Sequence, residues 1–181
     1  MIELIRARQQ DIEPLAALFA EGFVHDPMYC HYIPYEQERQ GIILQLFRKY
    51  LTDYWDALTV YTTPDLACGM CICPSDAECV ERVALPPYVQ KVFDQINAVV
   101  APQFYEDYLV LDLLAVSPAH RGKGIARALV ERFRREAQRA GKPGIVEIYE
   151  PENLAFYEKM GFRLAHIQPV GETLSAYLLE S

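Results

Sequence analysis

The sequence predicts a single α/β domain in which helices cover both faces of one central sheet. Its 181 residues are enough for one hydrophobic core, and a content of 51% apolar and 23% charged residues is typical of a folded soluble protein. Segments with helical and with strand periodicity alternate along the chain, with neither a repeat nor a flexible linker between them. We therefore expect one domain that comprises residues 1–181.

The first third of the chain predicts one strand followed by two helices. Residues 2–8 alternate between apolar and polar side chains, as a strand does. Asp11 can cap a helix that starts at Ile12 and ends before Pro27, because a residue that precedes a proline is disfavoured in helical geometry. A connection of polar and aromatic residues, Met28 to Tyr35, then leads to a second helix at residues 36–55.

The rest of the chain predicts five further strands and three helices. Thr63-Pro64-Asp65 is a turn signal between two short strands. The run from Tyr108 to Val116 is apolar apart from Asp112, as in a central strand that is covered on both faces. The predicted strands are Leu58–Thr62, Ala67–Cys73, Tyr108–Val116, Ile145–Tyr149 and Thr173–Leu179. The predicted helices are Tyr88–Val99, Gly124–Ala140 and Glu152–Met160.

The composition argues against several classes of protein. No apolar run approaches the roughly 18 residues of a membrane span, and the N-terminus lacks the basic start and long apolar stretch of a signal peptide. We therefore expect a cytoplasmic protein that does not bind membranes. Cys68, Cys71, Cys73 and Cys79 lie close together, but Cys71 and Cys73 share one face of an apolar strand instead of forming the separated pairs of a zinc site. We interpret them as buried thiols and expect no metal.

The charge of the chain is unevenly distributed. The net charge is −8, yet residues 117–142 contain eight Lys or Arg and two Asp or Glu, a local charge of +6. The remainder, with nine basic and 23 acidic residues, carries −14. A protein that binds nucleic acid would normally present a broad basic face, whereas one basic segment on an acidic body favours a site for a single polyanionic ligand.

The basic segment begins with a loop between a predicted strand and a predicted helix, Arg121-Gly122-Lys123-Gly124-Ile125-Ala126. The start of a helix exposes backbone N–H groups that carry positive partial charge. The two glycines let an anion approach the backbone, and Arg121 and Lys123 add full charges. The glycine spacing fits neither the Rossmann nor the Walker pattern. The loop therefore predicts a site for a diphosphate.

The loop has the pattern Arg-x-x-Gly-x-Ala, and together with two other segments it resembles the GNAT superfamily of acyl-CoA-dependent N-acetyltransferases. Leu111–Pro118 resembles the strand that precedes the loop in this family, and Asn153–Phe162 resembles its second signature, a short helix. Residues 23–27 and the helix after them are similar to a branch of small-molecule acetyltransferases. The resemblance implies a GNAT-like fold, with a mixed, mostly antiparallel central sheet that splays between its fourth and fifth strands and has helices on both faces.

The resemblance also implies acetyl-CoA as the co-substrate and a set of residues that bind it. The backbone of Leu114, Ala115 and Val116 would pair with the pantetheine arm like an added strand, and the N–H of Val116 would donate to the acetyl oxygen. The pyrophosphate would be held by Arg121, Gly122, Lys123, Gly124, Ile125 and Ala126. Asn153 would form a hydrogen bond with the pantetheine, and Tyr157 would lie beside the thioester sulfur and act as the acid for the leaving thiolate.

The reaction implied is attack by a neutral amine on the acetyl thioester, which requires a base for the amine. Asp112 is the first candidate, since it is a lone carboxylate in an apolar strand, where an unpaired charge is costly. The same cost is equally compatible with a structural partner such as an arginine. Glu147 on the next strand, which would also contact the acceptor, is a second candidate. Deprotonation relayed by water is common in the family.

In this family the connection between the first two helices usually lines the acceptor pocket. Here that connection contains Asp26, Tyr29, His31, Tyr32 and Tyr35. A carboxylate with aromatic faces suits a cationic amine through ion pairing and cation–π contact. An equally good interpretation is a surface loop whose tyrosines cover the core.

We therefore expect an enzyme that transfers an acetyl group from acetyl-CoA to a primary amine of a small molecule or amino acid derivative by direct attack. Two alternatives remain, a non-catalytic CoA-binding regulator and a protein or peptide N-acetyltransferase. A nucleic-acid partner such as tRNA is disfavoured by the charge of −14 outside residues 117–142. Since dimers are frequent in the family, the resemblance is compatible with a homodimer.

Overall fold

One sheet of seven strands runs through the computed structural model, which describes residues 2–98 and 107–181. In chain order the strands are β1 (Ile5–Arg6), β2 (Thr59–Thr62), β3 (Cys68–Pro74), β4 (Leu109–Val116), β5 (Gly144–Ile148), β6 (Arg163–Val170) and β7 (Leu174–Glu180). Their order across the sheet is β1-β2-β3-β4-β5-β7-β6. Among these strands β4 and β5 run parallel and all other neighbours are antiparallel, which confirms the predicted mixed, mostly antiparallel sheet.

The centre of the sheet opens between β4 and β5. Residues 109–111 of β4 pair with residues 144–146 of β5, and the pairing ends there. Both strands continue beyond this point, β4 to Val116 and β5 to Ile148. This early end of the pairing confirms the predicted splay between the fourth and fifth strands.

A β-bulge lies beside the opening. Cys71 of β3 is opposite Leu113 of β4, whereas the next residue, Ile72, is opposite Leu111. Asp112 is therefore an extra residue in β4 without a partner in β3. A bulge bends its strand and increases the local twist, so it helps β4 to turn away from its parallel neighbour.

Six α-helices among the described residues cover both faces of the sheet, as predicted. They are α1 (Ile12–Phe23), α2 (Pro27–Tyr32), α3 (Glu36–Asp53), α4 (Pro87–Asn97), α5 (Ile125–Ala140) and α6 (Leu154–Lys159). The first four helices pack into one hydrophobic core, which contains Phe19 and Phe47, and the last two pack into another, which contains Leu129 and Phe133. In the part of the chain that the structure describes, no helix combines the length and apolarity needed to cross a membrane.

Helix α2 differs from the sequence prediction, which has a connection at Met28 to Tyr35. Asp26 is the N-cap of α2 and accepts a hydrogen bond from the N–H of Met28 at 2.9 Å. Pro27 occupies the first turn, where a proline lacks only an N–H that the helix leaves unpaired. The Asp-Pro pair therefore starts a helix in addition to ending the preceding one.

Strand β6 was also missed by the sequence prediction. It is the last strand at one edge of the sheet, and most of its side chains are exposed. Such a strand has little need of the alternation between apolar and polar residues that identified the others. Most of the predicted elements differ from the observed ones by one or two residues at their ends, and the first strand is shorter still, since it is Ile5–Arg6 and not residues 2–8. The helix predicted at Tyr88–Val99 is Pro87–Asn97, with Val99 outside the described residues.

A buried ion pair connects the end of α3 to the segment that precedes α4. The side chains of Lys49 and Asp53 are 3% and 1% exposed, and the ammonium nitrogen lies 2.6 Å from the carboxylate. The same carboxylate accepts hydrogen bonds from the backbone N–H groups of Arg82 at 2.8 Å and Val83 at 3.0 Å. Lys49 also donates to the carbonyl of Val83 at 2.7 Å. The pair therefore holds this segment against α3.

We expect Asp53→Ala to lower the free energy of unfolding by about 3–5 kcal/mol, because it leaves a buried ammonium group without its opposite charge and two N–H groups without their acceptor. Urea denaturation followed by circular dichroism measures the change. Asp56→Ala is the matched control, since Asp56 is 75% exposed and pairs with Arg82 at the surface. Loss of this surface ion pair should lower the free energy of unfolding by less than about 1 kcal/mol. Similar losses for the two variants would contradict the role given to Asp53.

Candidate active site

A cavity of about 540 Å³ lies where β4 and β5 separate. Its walls come from these two strands and from α1, α2, α3, α4 and α6. Seven of the residues that the sequence singled out line it: Asp26, Tyr29, Asp112, Leu114, Glu147, Asn153 and Tyr157. The opening in the sheet thus brings together residues from the first and last thirds of the chain.

Three residues of the predicted acceptor segment lie away from this cavity. His31 is exposed and Tyr32 is half-buried, and their rings pack edge-to-face with centroids 4.9 Å apart. Tyr35 is 63% exposed. The structure therefore divides the segment into Asp26 and Tyr29, which face the cavity, and a more exposed remainder.

Asp112, the extra residue of the bulge, is open to the cavity. Its carboxylate accepts a hydrogen bond from the hydroxyl of Tyr50 on α3. The protein atoms around the cavity displace much of the water near Asp112, and this desolvation raises the pKa of Asp112, while the hydrogen bond from Tyr50 lowers it. The structural partner is therefore a neutral phenol, in place of the arginine considered from the sequence.

Glu147 on β5 is the second carboxylate of the open strands, and it is half-buried. Tyr149, two residues further along the chain, donates a hydrogen bond from its hydroxyl to Glu147. Burial is the largest cause that raises the pKa of Glu147 to about 7; the hydrogen bond from Tyr149 lowers this pKa, and the negative charge of Asp112 raises it. A carboxylate that titrates near neutral pH is suited to accept a proton during a reaction.

Asp26 reaches the cavity from the N-cap of α2. Burial raises the pKa of Asp26 to about 6; the hydrogen bond from Met28 lowers it, and the charge of Glu150 raises it. Arg39, which is 7% exposed, holds this segment by donating hydrogen bonds to three backbone carbonyl groups. The acceptors are the carbonyls of Ile33 at 2.8 Å, Val24 at 3.1 Å and Pro34 at 3.2 Å. Contacts on both sides of α2 therefore position the Asp26 carboxylate.

Tyr29 lines the cavity next to Asp26, although it is only 5% exposed. Its ring packs edge-to-face against Phe23 and Phe47, with centroid distances of 6.0 and 5.6 Å. Burial raises the pKa of Tyr29, and the charges of Asp26 and Asp112 raise it further. Its hydroxyl therefore lies within electrostatic reach of both carboxylates.

Tyr157 on α6 is 7% exposed and packs edge-to-face against Phe156 and Phe162, with centroids 5.1 and 5.7 Å away. Burial raises the pKa of Tyr157 to about 12, so its hydroxyl is protonated at neutral pH. No described residue forms a hydrogen bond with this hydroxyl, which leaves it available to a molecule in the cavity. Asn153, just before α6, donates from its side-chain amide to Glu150 at 2.8 Å.

The predicted phosphate loop lies at the far end of β4, beyond the residues that line the cavity. Gly122 and Gly124 have φ angles of +74° and +78°, a left-handed conformation that favours glycine, and Gly124 is the N-cap of α5. Arg121 and Lys123 are exposed, whereas Ile125 is 7% exposed and anchors the first turn of the helix in the core. The loop therefore presents an open helix N-terminus with two cations, the properties of an anion site.

One side of β4 connects the cavity to this loop. Beyond Leu111, the side that faces β5 has no strand partner among the described residues. Leu114 lines the cavity, and Ala115 and Val116 continue towards the loop, where Arg121 donates to the carbonyl of Val116 at 3.2 Å. A strand with an unpaired side can form main-chain hydrogen bonds with an extended ligand.

Sequence reasoning missed the two tyrosines that hold the central carboxylates. Tyr149 follows Glu147 by two residues, and in the predicted strand Ile145–Tyr149 this spacing places both side chains on the same face, so it was a usable signal, although β5 itself ends at Ile148. Tyr50 fitted the apolar stripe of α3, and its partner Asp112 is 62 positions away in the chain. No local pattern indicates that contact.

Comparisons with known proteins identify one matching family and several similar structures. Residues 88–164 match the model of the family described as acetyltransferase (GNAT) domain. Histone acetyltransferase HPA2 and related acetyltransferase from Corynebacterium glutamicum is 19% identical, with a TM-score of 0.71 over 97% of this chain and 93% of that chain. The C-terminal condensation domain of Ebony in complex with beta-alanyl-dopamine is 10% identical, with a TM-score of 0.69 over 100% and 99% of the two chains. The NatC complex bound to Gag peptide and CoA is 16% identical, with a TM-score of 0.58 over 99% and 98%.

The matched segment contains the elements that the sequence singled out. It extends from α4 to the start of β6, and it includes β4, the phosphate loop, α5, β5 and α6. The similar structures add that the fold is shared over nearly the whole chain, although one was solved with a small molecule and another with a peptide. Residues 88–164 are therefore similar to the acetyltransferase (GNAT) domain family, and the described residues as a whole have a GNAT-like fold.

Proposed function

We propose that this protein is an enzyme that transfers an acetyl group from acetyl-CoA to a primary amine of a small molecule, with residues 1–181 as one acetyltransferase domain. The observation that carries this proposal is the cavity between β4 and β5, where Asp112, Glu147 and the hydroxyl of Tyr157 face the same space. Attack of an amine on a thioester requires a proton acceptor for the amine and a donor for the leaving thiolate. These three residues supply both.

The unpaired side of β4 and the loop beyond it fit acetyl-CoA. The backbone of Leu114, Ala115 and Val116 would form hydrogen bonds with the extended pantetheine arm. The pyrophosphate would lie at the N-terminus of α5, against residues 121–126. Asn153 would contact the pantetheine at the entrance to the cavity. Bound in this way, the co-substrate supplies an activated acetyl group at the centre of the open sheet.

Glu147 takes a proton from the ammonium group of the acceptor, with Asp112 beside it as a second carboxylate. The nitrogen then forms a bond to the acetyl carbon while the carbon–sulfur bond breaks, and the second nitrogen proton passes to the thiolate. Tyr157 donates a hydrogen bond to the departing sulfur. The pKa of Tyr157, about 12, is higher than the value of about 8.5 for an ordinary thiol, so this hydrogen bond stabilises the thiolate without complete transfer of the phenol proton.

Release of free thiol from acetyl-CoA tests the proposed function. The protein is incubated with acetyl-CoA and either small amines or short peptides, and the thiol is measured with a thiol-reactive dye. We expect release that depends on particular small amines, with the acetylated amine identified by mass spectrometry. Binding of acetyl-CoA without amine-dependent release would identify a non-catalytic CoA-binding protein, and release with peptides alone would identify a peptide acetyltransferase. Either result contradicts the proposal.

Gly124→Ala is expected to raise the KM for acetyl-CoA by roughly 3-fold to 10-fold, because a side chain at its positive φ strains the loop by about 1 kcal/mol. Gly141→Ala is the matched control, since Gly141 has a φ of +65° at the other end of α5. Both variants should lose similar stability, and only the first should change this KM. Equal KM values at saturating amine would argue against cofactor binding at the loop.

A further inference from the structure

The cavity contains more negative charge than its own residues balance. Four carboxylates line it, and none of the described residues in its lining is a lysine, an arginine or a histidine. The four are Asp26, Asp112, Glu147 and Glu150. Desolvation by the surrounding protein raises the pKa of the first three, so the folded protein disfavours their ionised forms. A bound cation would supply the missing opposite charge.

These carboxylates form two groups within the cavity. Asp112 and Glu147 lie on the two separated strands, and each already accepts a hydrogen bond from a tyrosine hydroxyl. Asp26 lies at the start of α2, where it accepts hydrogen bonds from the backbone of Met28 and Tyr29 and interacts with the charge of Glu150. The first group lies next to the part of β4 where the acetyl group would arrive. Asp26 reaches the cavity from the start of α2 and not from the open strands.

Tyr29 points independently to a ligand beside Asp26. Its side chain is only 5% exposed, and its hydroxyl has no hydrogen-bond partner among the described residues. No fully buried side-chain nitrogen or oxygen in the described structure lacks a partner, so the hydroxyl of Tyr29 opens into the cavity. Polar groups in such places usually have their hydrogen bonds completed by water or by a ligand.

The charge of the acceptor during the reaction decides which molecule fits both groups. An amine must lose a proton before it attacks, so a monoamine loses its positive charge at that step. A second ammonium group on the same molecule keeps its charge and continues to hold the acceptor in the transition state. A free amino acid would bring its own carboxylate into a cavity that offers it no cation.

Building on the proposed function, we infer that the acceptor is a diamine or polyamine. One amino group reacts beside Asp112 and Glu147. The other binds as an ammonium ion to the carboxylate of Asp26 and the hydroxyl of Tyr29, with Glu150 nearby. Monoamines and free amino acids are correspondingly poor acceptors.

Amines of matched chain length test this inference. Unbranched diamines with three to six carbon atoms are compared with the monoamines of the same length, and 1,5-diaminopentane is compared with lysine, which is the same molecule with an added carboxylate. The best diamine is expected to exceed its monoamine in kcat/KM by roughly 10-fold to 100-fold, as for a hydrogen bond between charged groups. Lysine should be poorer than 1,5-diaminopentane by about tenfold or more, because its carboxylate has no partner.

Asp26→Asn tests the position of the second ammonium group. Asparagine keeps an oxygen for the N–H of Met28 but carries no charge, so the advantage of the diamine over its monoamine should shrink to less than about threefold. Glu152→Gln is the matched control, since Glu152 is exposed near the cavity but does not line it. This control should leave the ratio unchanged. A purely structural role of Asp26 would lower the activity with both amines and leave their ratio unaltered.

The inference would be overturned if kcat/KM for the diamine does not exceed that for its monoamine, or if the ratio of the two values is the same in Asp26→Asn as in the unaltered enzyme. Either result would leave the acetyltransferase proposal intact. A preference for an aromatic monoamine such as phenethylamine would also overturn it, because the aromatic walls would then decide the choice of acceptor. If no amine releases thiol, the proposed function fails, and calorimetry still decides the inference. Tighter binding of the diamine than of the monoamine to the CoA-loaded protein would support a dicationic site, and equal binding would refute it.

Discussion

Replacement of Glu147 by glutamine is expected to lower kcat/KM by roughly 100-fold to 10 000-fold at about pH 8, the loss typical for a general base. Glutamine has the same shape and keeps an oxygen that accepts the hydrogen bond from Tyr149, so the strand and the cavity wall should be preserved. What is lost is a carboxylate that can take a proton. Initial rates at saturating acetyl-CoA and varied amine measure the effect, with the exposed Glu152→Gln variant as the control.

The pH dependence separates a proton acceptor from a structural residue. The pKa of Glu147 is raised to about 7, so this side chain is mostly protonated and inactive as a base below that pH, and ionised above it. For an acceptor that binds as an ammonium ion, kcat/KM should rise by about tenfold per pH unit below neutrality and then level off. In Glu147→Gln the levelling off near pH 7 should be absent, and a much lower kcat/KM should keep rising with pH, because only the growing fraction of neutral amine can then react. If the variant still levels off near pH 7, another group accepts the proton.

Asp112→Asn provides a second comparison in the same pH series. The negative charge of Asp112 is one of the causes that raise the pKa of Glu147, so its removal should move the midpoint of the rise to lower pH. Loss of the levelling off in Asp112→Asn, together with a normal profile in Glu147→Gln, would assign the proton to Asp112. The two carboxylates face one cavity, and the pH profiles of kcat/KM for the two variants show which of them accepts the proton.

Tyr157→Phe is expected to lower kcat by roughly 10-fold to 100-fold, the range for a hydrogen bond to a charged group such as the leaving thiolate. Phenylalanine keeps the ring contacts with Phe156 and Phe162. The removed hydroxyl has no partner among the described residues, so its loss leaves no other group unpaired. Turnover at saturating concentrations of both substrates measures the effect, and urea denaturation should show nearly unchanged stability.

Tyr177→Phe serves as the matched control for this substitution. Tyr177 lies on β7, is half-buried and does not line the cavity. Its loss of a hydroxyl should leave turnover unchanged. Full turnover in Tyr157→Phe would exclude Tyr157 from the reaction, and a change confined to KM would leave it a role in binding alone.

Most of the fold was predictable because its signals are local. The apolar run of β4, the glycines of the loop and the amphipathic helix α5 each follow from residues within a few positions of one another. Gly122 and Gly124 illustrate this directly, since both adopt the left-handed conformation that only glycine enters without strain. The elements that were missed, α2 and β6, are a two-turn helix in a short connection and an exposed edge strand, and both have weak periodicity.

The candidate site was predictable only in part. Asp112 stood out as a carboxylate in an apolar strand, but its hydrogen bond with Tyr50 depends on how α3 packs across the sheet. The sequence also did not indicate which residues of the acceptor segment face the cavity and which are exposed. Asp26 and Tyr29 turn into the cavity because α2 forms and Arg39 fixes its ends, while His31 and Tyr35 stay exposed.

By itself the sequence determined the order of most elements, the phosphate loop and the GNAT resemblance, because short-range backbone preferences and motif spacing act within one segment of the chain. The tertiary structure alone decided which carboxylates share one cavity and which hydroxyls there have no partner among the described residues. That outcome depends on a one-residue shift of register at Asp112 and on the early end of the pairing between β4 and β5. Both are properties of strand partners that are distant in the chain, and burial in the space between them raises the pKa of Glu147 to near neutrality.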